Sequence, residues 1–382
     1  MEKKKNVAIL TLYHKNYNYG GQLQAFALWK VIEKLGYKCD QISFERDRKK
    51  ILPRKIRALF KMPKKNIIGL LQLHLRRRKK KTSEQLRAIK NNYLRFDEFM
   101  NQISHTEIVN SATTYKLNSL YDCFIVGSDQ VWNPEFVSMD YFFDFVNDDK
   151  PKLSYAASIR LSNFEKKEAQ IISKLLNRFE YISVREETSV ELLKNIGVER
   201  NVSVAIDPTM LLSVDEWEKI IREPKVEEKY IVLYLIRDKK SIIQLRRYAR
   251  KYNYKIISIS EPAYSVEADK DFIQIQDGVG PKEFLGLIKN SEFVFANSFH
   301  GTVFSIIFNK QFYVYGDLHT DYRKKTLLKE FGLLDRCIDY DVDLETLNFD
   351  NIDYTNINEL LNEKRKYDMN VLANQLQRLC KD

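Results

Sequence analysis

Cysteine, histidine and long apolar runs are all scarce in this chain. The four cysteines (Cys39, Cys123, Cys337, Cys380) lie far apart, with no CxxC pair. That spacing excludes a disulfide framework and a cysteine-built zinc site, and it is the usage expected of a reducing cytosol. The five histidines, at 14, 74, 105, 300 and 319, are equally dispersed. No metal-ligand spacing can be read from them, so neither a metal nor a resident cofactor is expected. No stretch approaches the roughly 18 apolar residues of a membrane span. The apolar run after Met1-Glu2-Lys3-Lys4-Lys5 is too short for the core of a signal peptide. The expectation is a cytoplasmic globular protein without internal repeats.

What is present suffices for two domains. A chain of 382 residues, 44% hydrophobic and 12% aromatic, exceeds one compact core. Its net charge of +11 has one source. Residues 46–90 carry 18 Lys/Arg against two acids, or +16, whereas the rest holds 45 basic and 50 acidic residues, or −5. Within that segment the apolar stretch 66–75 runs into Arg76-Arg77-Arg78-Lys79-Lys80-Lys81. Apolar residues beside clustered cations describe a helix lying on an anionic membrane surface, peripheral to the inner face of the cell membrane. A solvated loop with one core-packing helix is the plainer alternative. Phe60 is the one aromatic in the patch besides His74, which speaks against nucleic acid as a partner.

Strand-like and helix-like runs alternate along the chain. In the first half, strands are expected at 7–12, 39–44, 123–126, 152–157, 181–184 and 202–206. Helices are expected at 22–36, 83–103, 164–179 and 187–196. The sequence Asp207-Pro208-Thr209-Met210 breaks the rhythm, and a second series begins near 230 and runs to a terminal helix at about 357–379. Such alternation gives parallel sheets with helices on both faces, and two such units face one another across a cleft at their strand C-termini. The predicted architecture is therefore α/β, two Rossmann-like domains at 1–213 and 214–382, with a basic helical insert at 46–90. The terminal helix is long enough to pack back on the first domain.

Four strand ends carry polar clusters. Ser298-Phe299-His300-Gly301-Thr302 lies between the apolar runs 293–296 and 303–308. A helix N-terminus there offers unpaired N–H groups to an anion, Gly301 allows close approach, and His300 can move a proton. In the plainer reading Ser298 is a cap and His300 a satisfied loop residue. Asn18-Tyr19-Gly20-Gly21 precedes a helix beginning Gln22-Leu23-Gln24, without the spacing of a dinucleotide fingerprint. Gly127-Ser128-Asp129-Gln130-Val131-Trp132-Asn133 brings a hydroxyl, a carboxylate, amides and an indole to one loop. This set suits a sugar, or else a capped helix start with a core tryptophan. Arg185, in Ser183-Val184-Arg185-Glu186, suits a carboxylate or phosphate, or else a surface ion pair.

Together these clusters resemble the polysaccharide pyruvyl transferase family. The matching elements are Asn18-Tyr19-Gly20-Gly21-x-Leu23-Gln24-Ala25, the Gly127–Asn133 cluster, Tyr155-Ala156-Ala157-Ser158, Val184-Arg185-Glu186, Asp207-Pro208-Thr209 and Ser298–Thr302, in the family's order. The resemblance implies a fold like the two-Rossmann-domain (GT-B) glycosyltransferases. It also implies transfer of pyruvate from phosphoenolpyruvate to a sugar hydroxyl pair, as a ketal, on a lipid-linked or polymeric acceptor. It makes His300 the proton-transfer residue, with Asp129 orienting or activating the acceptor. Substrate contacts would come from Asn18, Gly20, Gly21, Gln24, Gly127, Ser128, Gln130, Trp132, Asn133, Arg185, Ser298, Gly301 and Thr302, with the Gly301 and Thr302 N–H groups on the phosphate. One position departs: the family resembles Arg-Leu-His-Gly where this chain has Ser298-Phe299-His300-Gly301. Either Arg185 works with Arg237 or Arg323, or the donor differs. The alternative is a nucleotide-sugar glycosyltransferase of the same architecture.

Overall fold

Two parallel sheets contain every strand named among the described residues of this computed structural model. These residues are 5–46, 83–133, 138–160, 163–234, 242–259, 278–317, 321–340, 342–347 and 350–380. Most of the basic insert, residues 47–82, falls outside them, as does Arg237. The first sheet comprises β1 (Asn6–Leu10), β2 (Lys38–Gln41), β3 (Cys123–Val126), β4 (Lys152–Ala157), β5 (Tyr181–Val184) and β6 (Val202–Val204), in the order β2-β1-β3-β4-β5-β6. The second holds β7 (Tyr230–Tyr234), β8 (Lys255–Ser258), β9 (Phe293–Ala296), β10 (Gln311–Tyr315) and β11 (Cys337–Ile338), in the order β11-β10-β9-β7-β8. All ladders are parallel. Helices on both faces explain why β3 and β9 read as unbroken apolar runs, buried at every residue. Strand order reverses between β1 and β3 and again between β7 and β9. A doubly wound sheet opens a crevice for ligands at such points.

Two helices are buried over most of their length, the first at all but its charged C-terminal positions and the second at every residue. These are α1 (Tyr19–Lys34) and, later in the chain, Phe299–Ile307. In chain order the intervening helices are α2 (Ser83–Met100), α3 (Lys166–Leu176), α4 (Glu187–Asn195), α5 (Val214–Glu218), α6 (Ile242–Lys251) and α7 (Pro281–Lys289), making the second buried helix α8. Then follow α9 (Tyr322–Glu330) and α10 (Thr355–Leu379). The core residues of α2 are Phe96 and Phe99, towards its C-terminal end, whereas Leu86, near its start, is exposed.

The halves share one core. A single cluster runs from Val7 and Ile9 of the first sheet through Leu23, Phe26 and Phe304 to Val232 and Val294 of the second. Tyr19 stacks on Phe284 at 4.6 Å and 12°, and its hydroxyl donates to Val279 O. Arg222 bridges Glu98 (2.7 Å) and Glu283 (2.6 Å). The terminal helix α10 follows the second sheet in sequence yet reaches the first. Ile206 N donates to Asp368 Oδ2 (2.7 Å) and Arg365 Nε to Met210 O (2.9 Å).

Candidate active site

The polar clusters follow the C-terminal ends of β1, β3, β5 and β9. Helix α1 begins at Tyr19, three residues earlier than expected. Asn18 caps it, with Oδ1 accepting from Gly21 N at 2.9 Å. Gly20 and Gly21 therefore lie in the first turn, where they serve close approach. A Cβ at Gly20 would sit 1.9 Å from His300 Nδ1, and one at Gly21 would sit 2.6 Å from Asn16 Nδ2. Helix α8 starts at Phe299, capped by Ser298. The N-termini of α1 and α8 thus meet, one from each half, with the His300 ring between them.

His300 is 6% exposed. Its Nε2 lies 3.5 Å from Asp207 Oδ2, an ion-pair distance longer than a good hydrogen bond. Asp207 is itself tightly held. Arg185 Nη1 donates to Oδ2 at 2.7 Å and Ser128 Oγ at 3.0 Å, while Thr209 supplies its N–H (3.0 Å) and hydroxyl (2.7 Å) to Oδ1. Burial alone would raise the Asp207 pKa. The His300 imidazole and Arg185 guanidinium, with the Thr209 hydrogen bond, outweigh it and hold the carboxyl well below the usual range. Asp207 is a fixed anion.

Arg185 is equally committed. Besides Asp207 it donates from Nε to Glu186 Oε1 (3.2 Å), and its guanidinium lies 4.1 Å from the Phe299 ring centroid. Burial works against its charge, but Glu186, Asp207 and Asp129 more than restore it and raise its pKa above the ordinary arginine value. Glu186 in turn accepts from Ser158 (2.7 Å) and Ser189 (3.3 Å). Arg185, expected on a carboxylate or phosphate or else in a surface ion pair, spends two of its nitrogens on buried protein carboxylates. Its Nη2 is buried with no hydrogen-bond partner among the described residues.

Asp129 is half-buried, with a left-handed backbone (φ 66°) fixed by Ser158 N donating to its carbonyl at 3.0 Å. Gln130, beside it, is also half-buried and accepts from Asn133 Nδ2. Other residues expected to contact substrate lie inside the fold. Trp132 is fully buried, stacked on Phe142 at 5.8 Å, and its indole N–H donates to Tyr141 O; no indole face is left for a sugar. Asn133 is buried too, and Ser128 is buried against Asp207. Gly127 makes room for Thr11 and Leu28, since a Cβ there would lie 2.6 Å and 2.8 Å from their side chains. Gln24 is buried within α1, donating to Gly21 O.

The N–H groups expected to cradle phosphate are in use as well. Gly301 N donates to Ser298 Oγ (3.4 Å) and Thr302 N to Ser298 O (3.1 Å). Gly301 is needed instead for packing, 2.9 Å separating its would-be Cβ from Ala296 Cβ. The residue that sequence reading passed over is Asp207. Pro208 makes its segment read as a domain boundary, yet an acid just past a strand end is the same signal as the other clusters.

Two Rossmann-like domains whose helix N-termini meet at a charged site define the GT-B architecture. Among solved structures, UDP-GlcNAc 2-epimerase from Methanocaldococcus jannaschii superposes with a TM-score of 0.50 at 12% identity, over 96% of this chain and 93% of that one. The glycosyltransferase SnogD from Streptomyces nogalater gives 0.44 at 10%, over 99% and 100%. At that identity the epimerase likeness speaks for the fold alone. No curated protein matches the sequence. The chain belongs to the polysaccharide pyruvyl transferase family, whose model matches residues 18–318, and it is a pyruvyltransferase by that membership.

Proposed function

We propose that the protein transfers the pyruvyl group of phosphoenolpyruvate onto two hydroxyls of a sugar in a cell-surface polysaccharide precursor, forming a cyclic ketal. The observation carrying this reading is the His300–Asp207 pair spanning the two domains. In the first step C3 of the donor takes a proton, leaving an oxocarbenium-like centre at C2. A sugar hydroxyl attacks C2 and loses its proton, the C2–O bond to phosphate breaks, and a second hydroxyl closes the ring with loss of its own proton. The products are the ketal and inorganic phosphate.

His300 is the group that holds and moves these protons, and the ionised Asp207 stabilises the ring when it is cationic. Four hydrogen bonds keep Asp207 in place, so little reorganisation is needed when charge develops. Asp129, half-buried within the electrostatic reach of Arg185, orients or deprotonates the acceptor. A lipid-linked acceptor would lie at the membrane surface. The +16 of residues 46–90 would dock the enzyme there, at about 1 kcal/mol per cation near an anionic surface.

Incubation with phosphoenolpyruvate and candidate lipid-linked sugars, read by mass spectrometry and phosphate release, tests the reading. A pyruvyl adduct with matching phosphate supports it. Consumption of a nucleotide sugar, with phosphoenolpyruvate untouched, replaces it with the glycosyltransferase alternative.

A further inference from the structure

The edge of the first sheet that faces away from the site holds two thiols that the reaction does not use. Lys5 and Tyr37 directly precede β1 and β2, and Cys123 opens β3, so these residues of three parallel strands mark one edge. Helix α10 ends against that edge and brings Cys380 to Cys123. The Cys123 thiol donates to the Cys380 sulfur, with Tyr37, Lys5 and Asp122 close by. Both side chains belong to the core, Cys123 at 0% exposed and Cys380 at 8%. The other two cysteines are engaged elsewhere, Cys39 Sγ with Trp29 O and Cys337 Sγ with Gly316 O, each at 3.5 Å. Of four dispersed cysteines, the fold thus joins two that lie 257 positions apart.

Helix α10 is a strap across the molecule. At about 1.5 Å per residue its 25 residues run roughly 37 Å. Just before it, the Tyr354 hydroxyl donates to Ser305 O of α8 (3.4 Å). Midway, Arg365 and Asp368 hold the backbone on either side of Asp207, and its end lies on Cys123. The two thiols are unequal. The hydrogen bond from Cys123 favours a thiolate at Cys380 and, with Lys5, holds its pKa below the ordinary thiol value against burial and Asp122. The same bond, together with burial, pushes the Cys123 thiol well up. Cys380 is also the thiol that a solute meets first, since the last turn of a terminal helix opens readily.

We propose that Cys123 and Cys380 are a redox-sensitive pair that closes to a disulfide when a peroxide is present, fastening the end of α10 to the first sheet. The Cys380 thiolate attacks one oxygen of hydrogen peroxide. An S–O bond forms, the O–O bond breaks, and the departing hydroxide takes a proton and leaves as water. Cys123 gives up its proton and attacks the sulfur of the resulting sulfenic acid. The S–S bond forms and the S–O bond breaks, releasing a second water. Two thiols and one hydrogen peroxide thus become one disulfide and two waters. Thiols already in contact are the starting geometry this bond requires, whereas cysteines held apart need the backbone to move. In a reducing compartment such a pair stays open until oxidant rises. It lies at the edge of the sheet opposite Asp207, so the switch is independent of which donor and acceptor the enzyme uses.

The test adds hydrogen peroxide to the dilute, reduced full chain as wild type, Cys380→Ser and Cys123→Ala, and maps the products by non-reducing peptide mass spectrometry. Circular dichroism establishes that the variants are folded. Wild type is expected to lose two hydrogens and yield a Cys123–Cys380 cross-linked peptide. Its thermal midpoint should rise by a few degrees and return with dithiothreitol. That rise follows from restricting the unfolded chain, and it is larger for so long a loop. Cys380→Ser should show neither cross-link nor shift. In Cys123→Ala no second thiol resolves the oxidised Cys380, and dimedone should trap its sulfenic acid. Should Cys123→Ala fail to fold, the wild-type map and Cys380→Ser decide alone. The switch is refuted if wild type stays reduced or gains oxygen without cross-linking, or if the bond joins a different pair or two chains. It is refuted equally if folded Cys380→Ser shows the same midpoint shift.

Discussion

His300 Nε2 and Asp207 Oδ2 stand 3.5 Å apart although 93 positions separate them in the chain. They approach only when the first sheet delivers Asp207 past β6 and the second delivers His300 into the first turn of α8. His300→Ala should therefore lower turnover by about 10²–10⁴, the usual worth of a positioned acid–base group, while leaving the thermal midpoint near that of wild type. Unchanged turnover in a folded variant would remove His300 from the chemistry.

Asp207→Asn is expected to cost stability as well as activity. It leaves the buried Arg185 short of a partner, a loss of about 3–5 kcal/mol. Because folding depresses the Asp207 pKa, the stability it contributes is present above the ordinary carboxylate value of about 4 and is lost as pH falls below it. Urea melts should show the gap between wild type and Asp207→Asn narrowing from pH 5 towards pH 2. A constant gap would mean that the interaction is not ionic.

Gly20→Ala isolates the position of the ring from its presence. Alanine is the better helix former by about 1 kcal/mol, so propensity alone would stabilise α1. The added methyl, however, meets His300 Nδ1 and must push the imidazole away. A displacement of that order is expected to cost about 100-fold in kcat with a folded protein. Full activity would show that the ring tolerates the shift.

Trp132→Ala should behave as a core deletion, destabilising by about 3–5 kcal/mol, because the indole is enclosed by Phe142 and Phe179. The acceptor KM of the folded fraction should not move. A raised KM at unchanged stability would place the indole on the acceptor instead.

Asp368 gives the opposite pH signature to Asp207. Burial pushes its pKa up to about 6 despite the Ile206 N–H and Lys364, so folding carries a penalty that grows as pH rises from about 4 to 6. Asp368→Asn should remove that slope and stabilise the protein at pH 7, by up to about 3 kcal/mol. Chemical denaturation at pH 4.5 and 7 would check it. A variant less stable than wild type at pH 7 would show the charge to be favourable.

The architecture was legible because parallel strands buried on both faces write themselves as short apolar runs such as Cys123–Val126 and Phe293–Ala296. The site was legible only in part. Polar residues at strand ends announce a cleft, and Arg185 and His300 do stand there. Nothing in the spacing tells which of them face a ligand and which brace one another. Ser128, Asn133 and Trp132 read as a sugar platform, yet they face inward because the loop turns at Asp129 through a left-handed residue. Helix starts were misplaced for a related reason. Gly20 and Gly21 look like loop residues, but a helix accepts glycine where another side chain needs the space. The Asp207–His300 pairing joins two distant segments and is visible only in three dimensions.

The apolar cluster that passes without a break from one sheet to the other has a consequence for how the molecule moves. Wide separation of the halves would strip the Tyr19–Phe284 stack of its cover and expose the flanks of α1 and α8 to water. Substrates must then enter by small local rearrangements at the rim, with the frame unmoved. The same continuity ties the fates of the two halves together. Neither can melt while the other stays folded, so heat should carry the protein through one sharp transition, with the terminal helix released in the same event.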